Sequence, residues 1–123
     1  MPASFGTVSY TPDNLIVGEH VITSRPITLI SGQNLQRGAL LGRITSGGKY
    51  NLSLSAASDG SQTPDAILAE DCDASGGDKT ALAYFTGGFN SSKVTLGASH
   101  TVASVREGLR VKGLHLIDVQ TTY

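Results

Sequence analysis

The sequence contains one cysteine, no tryptophan and few charged residues, and these shortages exclude several classes of protein. A single cysteine, Cys72, cannot form an intramolecular disulfide framework. No stretch approaches the ~18 apolar residues that a membrane-spanning helix needs, and the first residues lack the basic and apolar stretches of a secretory signal. Nine basic residues against ten acidic ones give a net charge of -1, which provides no positive excess to hold nucleic acid or an anionic membrane.

The abundant residues favour a turn-rich β protein with an unusually neutral surface. Of the 123 residues, 15 are glycine and only 15% are charged, whereas about 25% is usual for a soluble domain. A chain of this length is expected to form one domain with its own hydrophobic core. Because charged groups are depleted at the centres of protein interfaces, this composition favours a subunit of an assembly over a free enzyme.

Short stretches rich in β-branched or alternating apolar residues, separated by glycine-containing turns, predict strands. Pro26 interrupts the first stretch, which is therefore expected to be bent or to lie at a sheet edge. The clearest alternation places Tyr50, Leu52 and Leu54 on one face, as in a half-buried strand. The predicted strands cover residues 20–30, 40–45, 50–55, 67–73, 80–86 and 114–119. Their length and spacing predict a small barrel or sandwich, with the fourth and fifth strands forming a hairpin.

One helix is predicted near the end of the chain, where apolar residues recur with helical spacing at Val102, Val105 and Leu109. Gly113 is expected to end the helix, and either Ser99 or Thr101 to cap its start. Gly108 lies inside the helix, where glycine costs about 1 kcal/mol relative to alanine. We therefore expect another part of the chain to pack closely against Gly108.

The acidic stretch of the sequence partly matches a calcium-binding loop. Asp71, Asp73 and Ser75, followed by Gly76, supply the oxygen ligands and the glycine with which such a loop opens. The bidentate glutamate that should close the loop is replaced by Leu82, and the flanking residues are predicted to be strands instead of helices. A solvated acidic turn is the preferred interpretation.

Other candidates for a chemical site fail on spacing or context. Gly47-Gly48-Lys49 resembles the end of a phosphate-binding loop, but Arg43 and Tyr50 occupy the positions where that motif requires glycine and Ser/Thr. Two aspartates flank Cys72 and disfavour a nucleophilic thiolate. The histidines lack the spacing of a helical metal-binding pair: His20, His100 and His115. No catalytic, cofactor-binding or metal-binding residue is predicted, and the chain is not expected to be an enzyme.

The order and spacing of several segments resemble the bacteriophage lambda-type head decoration protein D family, whose members stabilise the capsid. The similarity covers roughly residues 20–119. Its segments are Arg37-Gly38-Ala39-Leu40-Leu41-Gly42-Arg43-Ile44, Ile67-Leu68-Ala69-Glu70-Asp71, Ala83-Tyr84-Phe85-Thr86-Gly87-Gly88-Phe89-Asn90, Val94-Thr95-Leu96-Gly97, and the helix with Leu109, Arg110 and Gly113-Leu114-His115-Leu116. Two positions differ from the family pattern: Cys72 replaces an aliphatic residue, and Gly88 stands where an acidic residue is common. Both positions are expected in or near turns.

The resemblance implies a mainly β fold with one short helix, of the β-clip or β-tulip type. A single decoration-protein domain is expected over residues 14–123, after an extended N-terminal arm over residues 1–13. The implied function is that of a late structural protein of the virion, which binds as a homotrimer to the outside of the expanded icosahedral head at its three-fold positions. Its implied partner is the major capsid protein of its own phage, with assembly in the host cytoplasm. No cofactor, small-molecule substrate, nucleic acid or membrane is implied.

Residues 1–13 are predicted to be a flexible arm, because they show neither helical periodicity nor a strand pattern. An ordinary frayed terminus would have a similar composition, so that alternative stays open. If the arm binds the capsid, β-favouring and aromatic residues are expected to make the contact. The expected contact residues are Phe5, Thr7, Val8, Tyr10 and Pro12.

Two further classes of function stay open at this point. A receptor- or glycan-binding head module would need exposed aromatic residues on loops, and the sequence has no tryptophan and four tyrosines. A small trimeric β-scaffold enzyme, such as a nucleotide hydrolase, would need carboxylates that converge in a cleft. The acidic residues instead cluster in one predicted turn, so a structural role is preferred.

Overall fold

The computed structural model describes residues 15–119 of the chain. It contains eight strands, one α-helix and a short 3₁₀ turn within those residues. In chain order these are β1 (Thr23–Leu29), β2 (Asn34–Leu35), β3 (Leu40–Arg43), β4 (Tyr50–Leu52), β5 (Pro64–Leu68), β6 (Cys72–Asp73), β7 (Lys79–Asn90), the 3₁₀ turn (Ser91–Lys93), α1 (Val102–Lys112) and β8 (Leu114–Ile117). The prediction of a mainly β domain with one short helix is confirmed.

Six of the strands form one sheet in the order β1-β4-β3-β5-β7-β8. β1 also pairs antiparallel with β7, from Thr23 opposite Thr86 to Leu29 opposite Lys79, and this pairing closes five of the strands into a small barrel. β8 lies outside the barrel, parallel to the last four residues of β7. β2 and β6 form a separate two-stranded sheet.

The 12-residue strand β7 passes through two hydrophobic cores. Its first half contributes Ala81 and Ala83 to the barrel core, which also contains Ile27, Leu29, Ala39, Leu41, Tyr50, Ala66, Leu68, Cys72 and Ala74. Its second half contributes Phe89 to the helix core, which also contains Leu15, Leu40, Ile67, Val94, Val105, Leu109, Leu114 and Leu116. The two cores share β7 as a common wall, together with β3 and β5, whose successive side chains point to opposite faces.

The predicted helix is confirmed, and its caps are those that the sequence indicates. Thr101 is the N-cap, and its hydroxyl accepts a hydrogen bond from the Ser104 N–H at 3.1 Å. Gly113 ends the helix with a φ of 97°, in the left-handed region that glycine adopts readily. The expected close contact at Gly108 is not found in the described part of the chain, where a Cβ at this position would meet no atom within 4 Å. Gly108 instead lines a cavity of 270 Å³ beside Val105.

The alternation predicted over residues 50–55 extends only as far as Leu52, where β4 ends. Tyr50 is buried as expected, but Leu54 is 40% exposed while Ser53 is completely buried. The chain leaves the sheet after β4, so the period of two no longer decides which side chains face the core. The prediction for Leu54 is therefore wrong.

The prediction that Pro26 lies in an edge or bent strand is confirmed. Pro26 pairs with Leu82 of β7, whereas the other neighbour of β1, β4, pairs with it only at Leu29. Within the described part of the chain, one side of β1 is consequently without a strand partner around Pro26, where a missing N–H costs no ladder hydrogen bond. Among residues 15–119, no helix is long and apolar enough to span a membrane.

Candidate functional site

The chain enters the domain along the last residues of β7. Residues 15–17, which we call the anchor segment, run antiparallel to this end of β7, with Ile16 opposite Phe89. The Val17 N–H donates to the Gly88 carbonyl at 2.9 Å, and the Asn90 N–H donates to the Leu15 carbonyl at 2.7 Å. The Leu15 side chain is 1% exposed and lies in the helix core. The base of the predicted arm is therefore fixed by both backbone and side-chain contacts.

The predicted capsid-contact residues themselves lie outside the described part of the chain: Phe5, Thr7, Val8, Tyr10 and Pro12. The structure fixes where the chain that carries them meets the domain. The anchor segment is antiparallel to β7 and β8 is parallel to it, so Leu15 and Ile117 both lie beside Asn90. The two ends of the described chain consequently flank the last residues of β7, one on each side.

Polar side chains stabilise the region around the end of β7. The Asn90 Oδ1 accepts hydrogen bonds from the Ser92 N–H at 3.1 Å and the Ser92 hydroxyl at 2.9 Å, which caps the 3₁₀ turn. The Asp118 carboxylate accepts one bond from the Ser91 hydroxyl and one from Arg106, each at 2.6 Å. These two bonds, the serine bond first, lower the pKa of Asp118. The carboxylate ties β8 to the 3₁₀ turn and to α1.

Gly88 lies inside β7 and not in or near a turn, so that expectation is wrong. A Cβ at this position would lie 2.4 Å from the Val17 carbonyl oxygen and 2.6 Å from Cδ2 of His20. The His20 ring in turn stacks on that of His115, with centroids 4.4 Å apart. Glycine is therefore needed here for the anchor segment to approach β7 as closely as it does.

The acidic turn forms its hydrogen bonds within the chain. Asp71 Oδ1 accepts from the Arg37 N–H at 2.8 Å, and Asp73 Oδ1 accepts from the Ser75 N–H at 3.0 Å and from the Ser75 hydroxyl. The hydroxyl bond is the main reason that the pKa of Asp73 is lowered. Cys72 is buried between them against the barrel core. Within residues 15–119, no three His, Cys, Asp or Glu side chains lie close enough to hold a metal ion.

The structure brings Ser53 and His100 together, a contact that the sequence did not indicate. The Ser53 hydroxyl donates to the Ser61 carbonyl at 2.6 Å and accepts from His100 Nε2 at 3.1 Å. A nucleophilic serine would instead donate its proton to the histidine. Because Ser53 is also completely buried, the pair holds the loop before β5 against the start of α1.

One comparison with known proteins identifies the family of the chain. The family model described as "Bacteriophage lambda head decoration protein D" matches residues 7–113, which is most of the chain. The match includes Thr7, Val8, Tyr10 and Pro12 of the predicted arm, whereas Phe5 precedes it. A search of curated proteins found no significant match. The chain therefore belongs to the bacteriophage lambda head decoration protein D family and is a structural protein of a phage head.

Proposed function

We propose that the protein binds as a homotrimer to the outside of the expanded icosahedral head, at three-fold positions, and stabilises it. The observation that carries this proposal is the family match over residues 7–113. The partner is the major capsid protein of its own phage, and assembly takes place in the host cytoplasm. A charged fraction of only 15% supports an interface between copies, because interface cores are poor in charge.

Within this proposal the capsid-binding segment is the arm, residues 1–13, and residues 14–123 form the decoration domain. Extended segments can add to an exposed sheet edge through backbone hydrogen bonds, and aromatic side chains such as Phe5 and Tyr10 bury large areas at low entropic cost. Thr7 and Val8 favour the extended conformation that such pairing needs. The anchor segment supports this function because it fixes the base of the arm on β7.

A trimer makes a weak arm effective. Ordering about ten residues costs on the order of 10 kcal/mol in backbone entropy, so one arm alone is expected to bind weakly. When one arm has attached, the other two bind as if intramolecularly, which raises the avidity by roughly 10²–10⁴ where the geometry fits. Cyclic closure with one type of interface also limits the particle to a defined size.

The test compares the full chain with a chain that begins at Asn14, using expanded, undecorated capsids of the same phage. Co-sedimentation is expected to show that the truncated chain loses most capsid binding. Its thermal unfolding is expected to match that of the full chain, since Leu15 and the anchor segment are retained. Equally tight decoration by the truncated chain would assign capsid binding to the globular face instead of the arm.

The trimer is tested separately by analytical ultracentrifugation at micromolar concentration and by imaging decorated heads. A species of three times 12.7 kDa in solution, or three copies grouped around each three-fold position, is the expected result. Monomers in solution together with isolated single copies on the head would contradict it.

A further inference from the structure

A groove opens on the barrel surface where β1 and β4 separate. The two strands share one parallel pair, Leu29 with Tyr50, and then diverge. The space between β1 and the turn that joins β3 to β4 is an open groove of 560 Å³, which we call the β1 groove. Arg25 belongs to one wall and Arg43 to the other, and Tyr50 lies between them.

The wall formed by β1 presents backbone groups to this groove. The N–H of Leu82 in β7 donates to the Glu70 carboxylate at 3.2 Å, and its carbonyl accepts from the Ala69 N–H at 2.9 Å. Both hydrogen bonds lie on the side of β7 that faces away from β1. Its partner Pro26 is thus in a non-hydrogen-bonded pair, in which the backbone groups point away from the neighbouring strand. By alternation, the Pro26 carbonyl points toward the groove, and both backbone groups of Ser24 point to the same open side of β1, just beyond the residues that line the groove.

Two arginine side chains lie over the groove on aromatic and glycine surfaces. The Arg25 guanidinium lies 4.4 Å from the centre of the Phe85 ring. The Arg43 side chain lies over Gly48, where a Cβ would be 3.0 Å from Arg43 Nη2. Burial first, and then Asp65, raises the pKa of Tyr50, while the charges of Arg43 and Arg25 oppose this rise. Two positively charged side chains thus line the β1 groove.

The carboxylates around the groove are already paired with other cations. Asp65 forms an ion pair with Lys112 at 3.1 Å, and Asp78 forms one with Lys49 at 2.5 Å. Within the described residues, Arg25 and Arg43 have no carboxylate within ion-pair distance. In a domain with so few charges, two exposed arginines that share a groove and lack acidic partners indicate a ligand that supplies negative charge.

We propose that the β1 groove binds an extended acidic segment of a partner protein, which adds as a strand to β1 and places carboxylates on Arg25 and Arg43. Strand addition supplies backbone hydrogen bonds to both groups of Ser24 and to the Pro26 carbonyl, since Pro26 has no N–H to donate, and the guanidinium groups select acidic side chains at alternate positions. Arginine suits this role because its planar donors match a carboxylate in two parallel bonds. The assignment of this segment to the major capsid protein rests on the proposed function. The preference for an extended acidic segment rests only on the residues of the groove.

Other occupants fit the groove less well. A second copy of the chain has its acidic stretch beside β6, where Asp73 is paired with Asn34 and its carboxylate is bonded to Ser75. That stretch is not free to add as a strand. Nucleic acid would be repelled by a chain of net charge -1, and its bases would need exposed aromatic faces for stacking. The aromatic ring at the centre of the groove, Tyr50, is only 6% exposed.

The chemistry of the groove is tested with a short end-blocked peptide of alternating threonine and glutamate, titrated against the labelled full chain and followed by amide NMR shifts. Shifts are expected at Ser24 and Gly48, and Arg43→Gln is expected to weaken binding about tenfold. Arg110→Gln is the matched control, because it removes the same charge from an exposed pair with Glu107 on α1. It is expected to leave the affinity unchanged.

Two altered peptides separate charge from strand pairing. Replacement of glutamate by glutamine, or N-methylation of alternate backbone amides, is expected to abolish the shifts. The proposal would be overturned in favour of general electrostatic attraction if Arg43→Gln and Arg110→Gln weakened peptide binding equally. Unchanged binding of the N-methylated peptide would have the same meaning. Tighter binding of single-stranded oligonucleotide than of the acidic peptide would overturn it in favour of nucleic acid.

The carrier of the segment is tested with expanded capsids and the double variant Arg25→Gln/Arg43→Gln. Its capsid affinity is expected to fall at least tenfold, while its circular dichroism spectrum and its thermal unfolding match those of the wild type. Wild-type decoration by a variant that no longer binds the peptide would overturn the assignment to the capsid protein. Failure of the wild-type chain to bind capsids at all would instead overturn the proposed function, whatever the peptide result.

Discussion

Replacement of Gly108 by alanine is expected to stabilise the protein. Gly108 lies in the interior of α1, where alanine is more favourable than glycine by about 0.8–1.0 kcal/mol. The added methyl group would meet no atom of residues 15–119 within 4 Å and would lie beside the cavity that Gly108 lines, so these residues impose no steric cost that offsets the gain. For a domain of this size, 1 kcal/mol raises the melting temperature by about 4 °C.

The measurement is thermal unfolding of Gly108→Ala beside Gly113→Ala, the same substitution five positions along the chain. Gly113 has a φ of 97°, and its Cβ would lie 3.0 Å from Cγ2 of Thr86, so the second variant is expected to lose about 1–2 kcal/mol. The two variants should therefore move the melting temperature in opposite directions. If Gly108→Ala lowers it as well, Gly108 packs against an atom outside this chain, and our reasoning about α1 fails.

Gly88, Asp118 and the acidic turn are each open to a separate test. Gly88→Ala is expected to cost about 1–3 kcal/mol of stability, because its methyl group would overlap a backbone carbonyl. Hydrogen exchange at the anchor segment should also accelerate, and an unchanged exchange rate would contradict this prediction. Hydrogen bonds from Ser91 and Arg106 lower the pKa of Asp118 in the folded state. The stabilisation that these bonds provide is therefore present above the unfolded pKa of about 4, and it is lost as the pH falls through the folded pKa. Asp118→Asn should therefore lose less melting temperature between neutral and acidic pH than the wild type, and an equal loss would refute the assignment. Millimolar calcium or EDTA should leave the melting temperature unchanged, since the acidic turn at Asp71 lacks its closing ligand; a reproducible shift of several degrees would show that the turn binds calcium.

The helix was predictable because its signals are local. Thr101 and Gly113 mark its ends through hydrogen bonds that span a few residues, and the apolar spacing between them defines the buried face. Pro26 likewise restricts its strand through its own missing N–H. Such features depend on backbone chemistry within one turn or strand, which the sequence contains in full.

The closure of the barrel was not predictable in the same way. β1 pairs with β7 over a long stretch of chain, from Leu29 with Lys79, 50 positions apart, to Thr23 with Thr86, 63 positions apart, and no local pattern selects that partner. The same limit applies to the contact of Ser53 with His100 and to the role of Gly88, whose need for glycine arises from a carbonyl that packs from another segment. The β1 groove also depends on where two distant strands separate, and no local pattern of residues indicates that place.

The pairing of the anchor segment with β7 has a mechanical consequence. A pull along the strand axis on the chain before Leu15 would act at right angles to the hydrogen bonds that join the anchor segment to Gly88 and Asn90. Such a pull loads both bonds together in shear, and they cannot open one at a time like a zipper. The tension passes into β7, which carries it through its pairing with β1 and β5 into the barrel. If the arm binds the head as we propose, an outward force on a decorated head would therefore be resisted through β7 and the barrel.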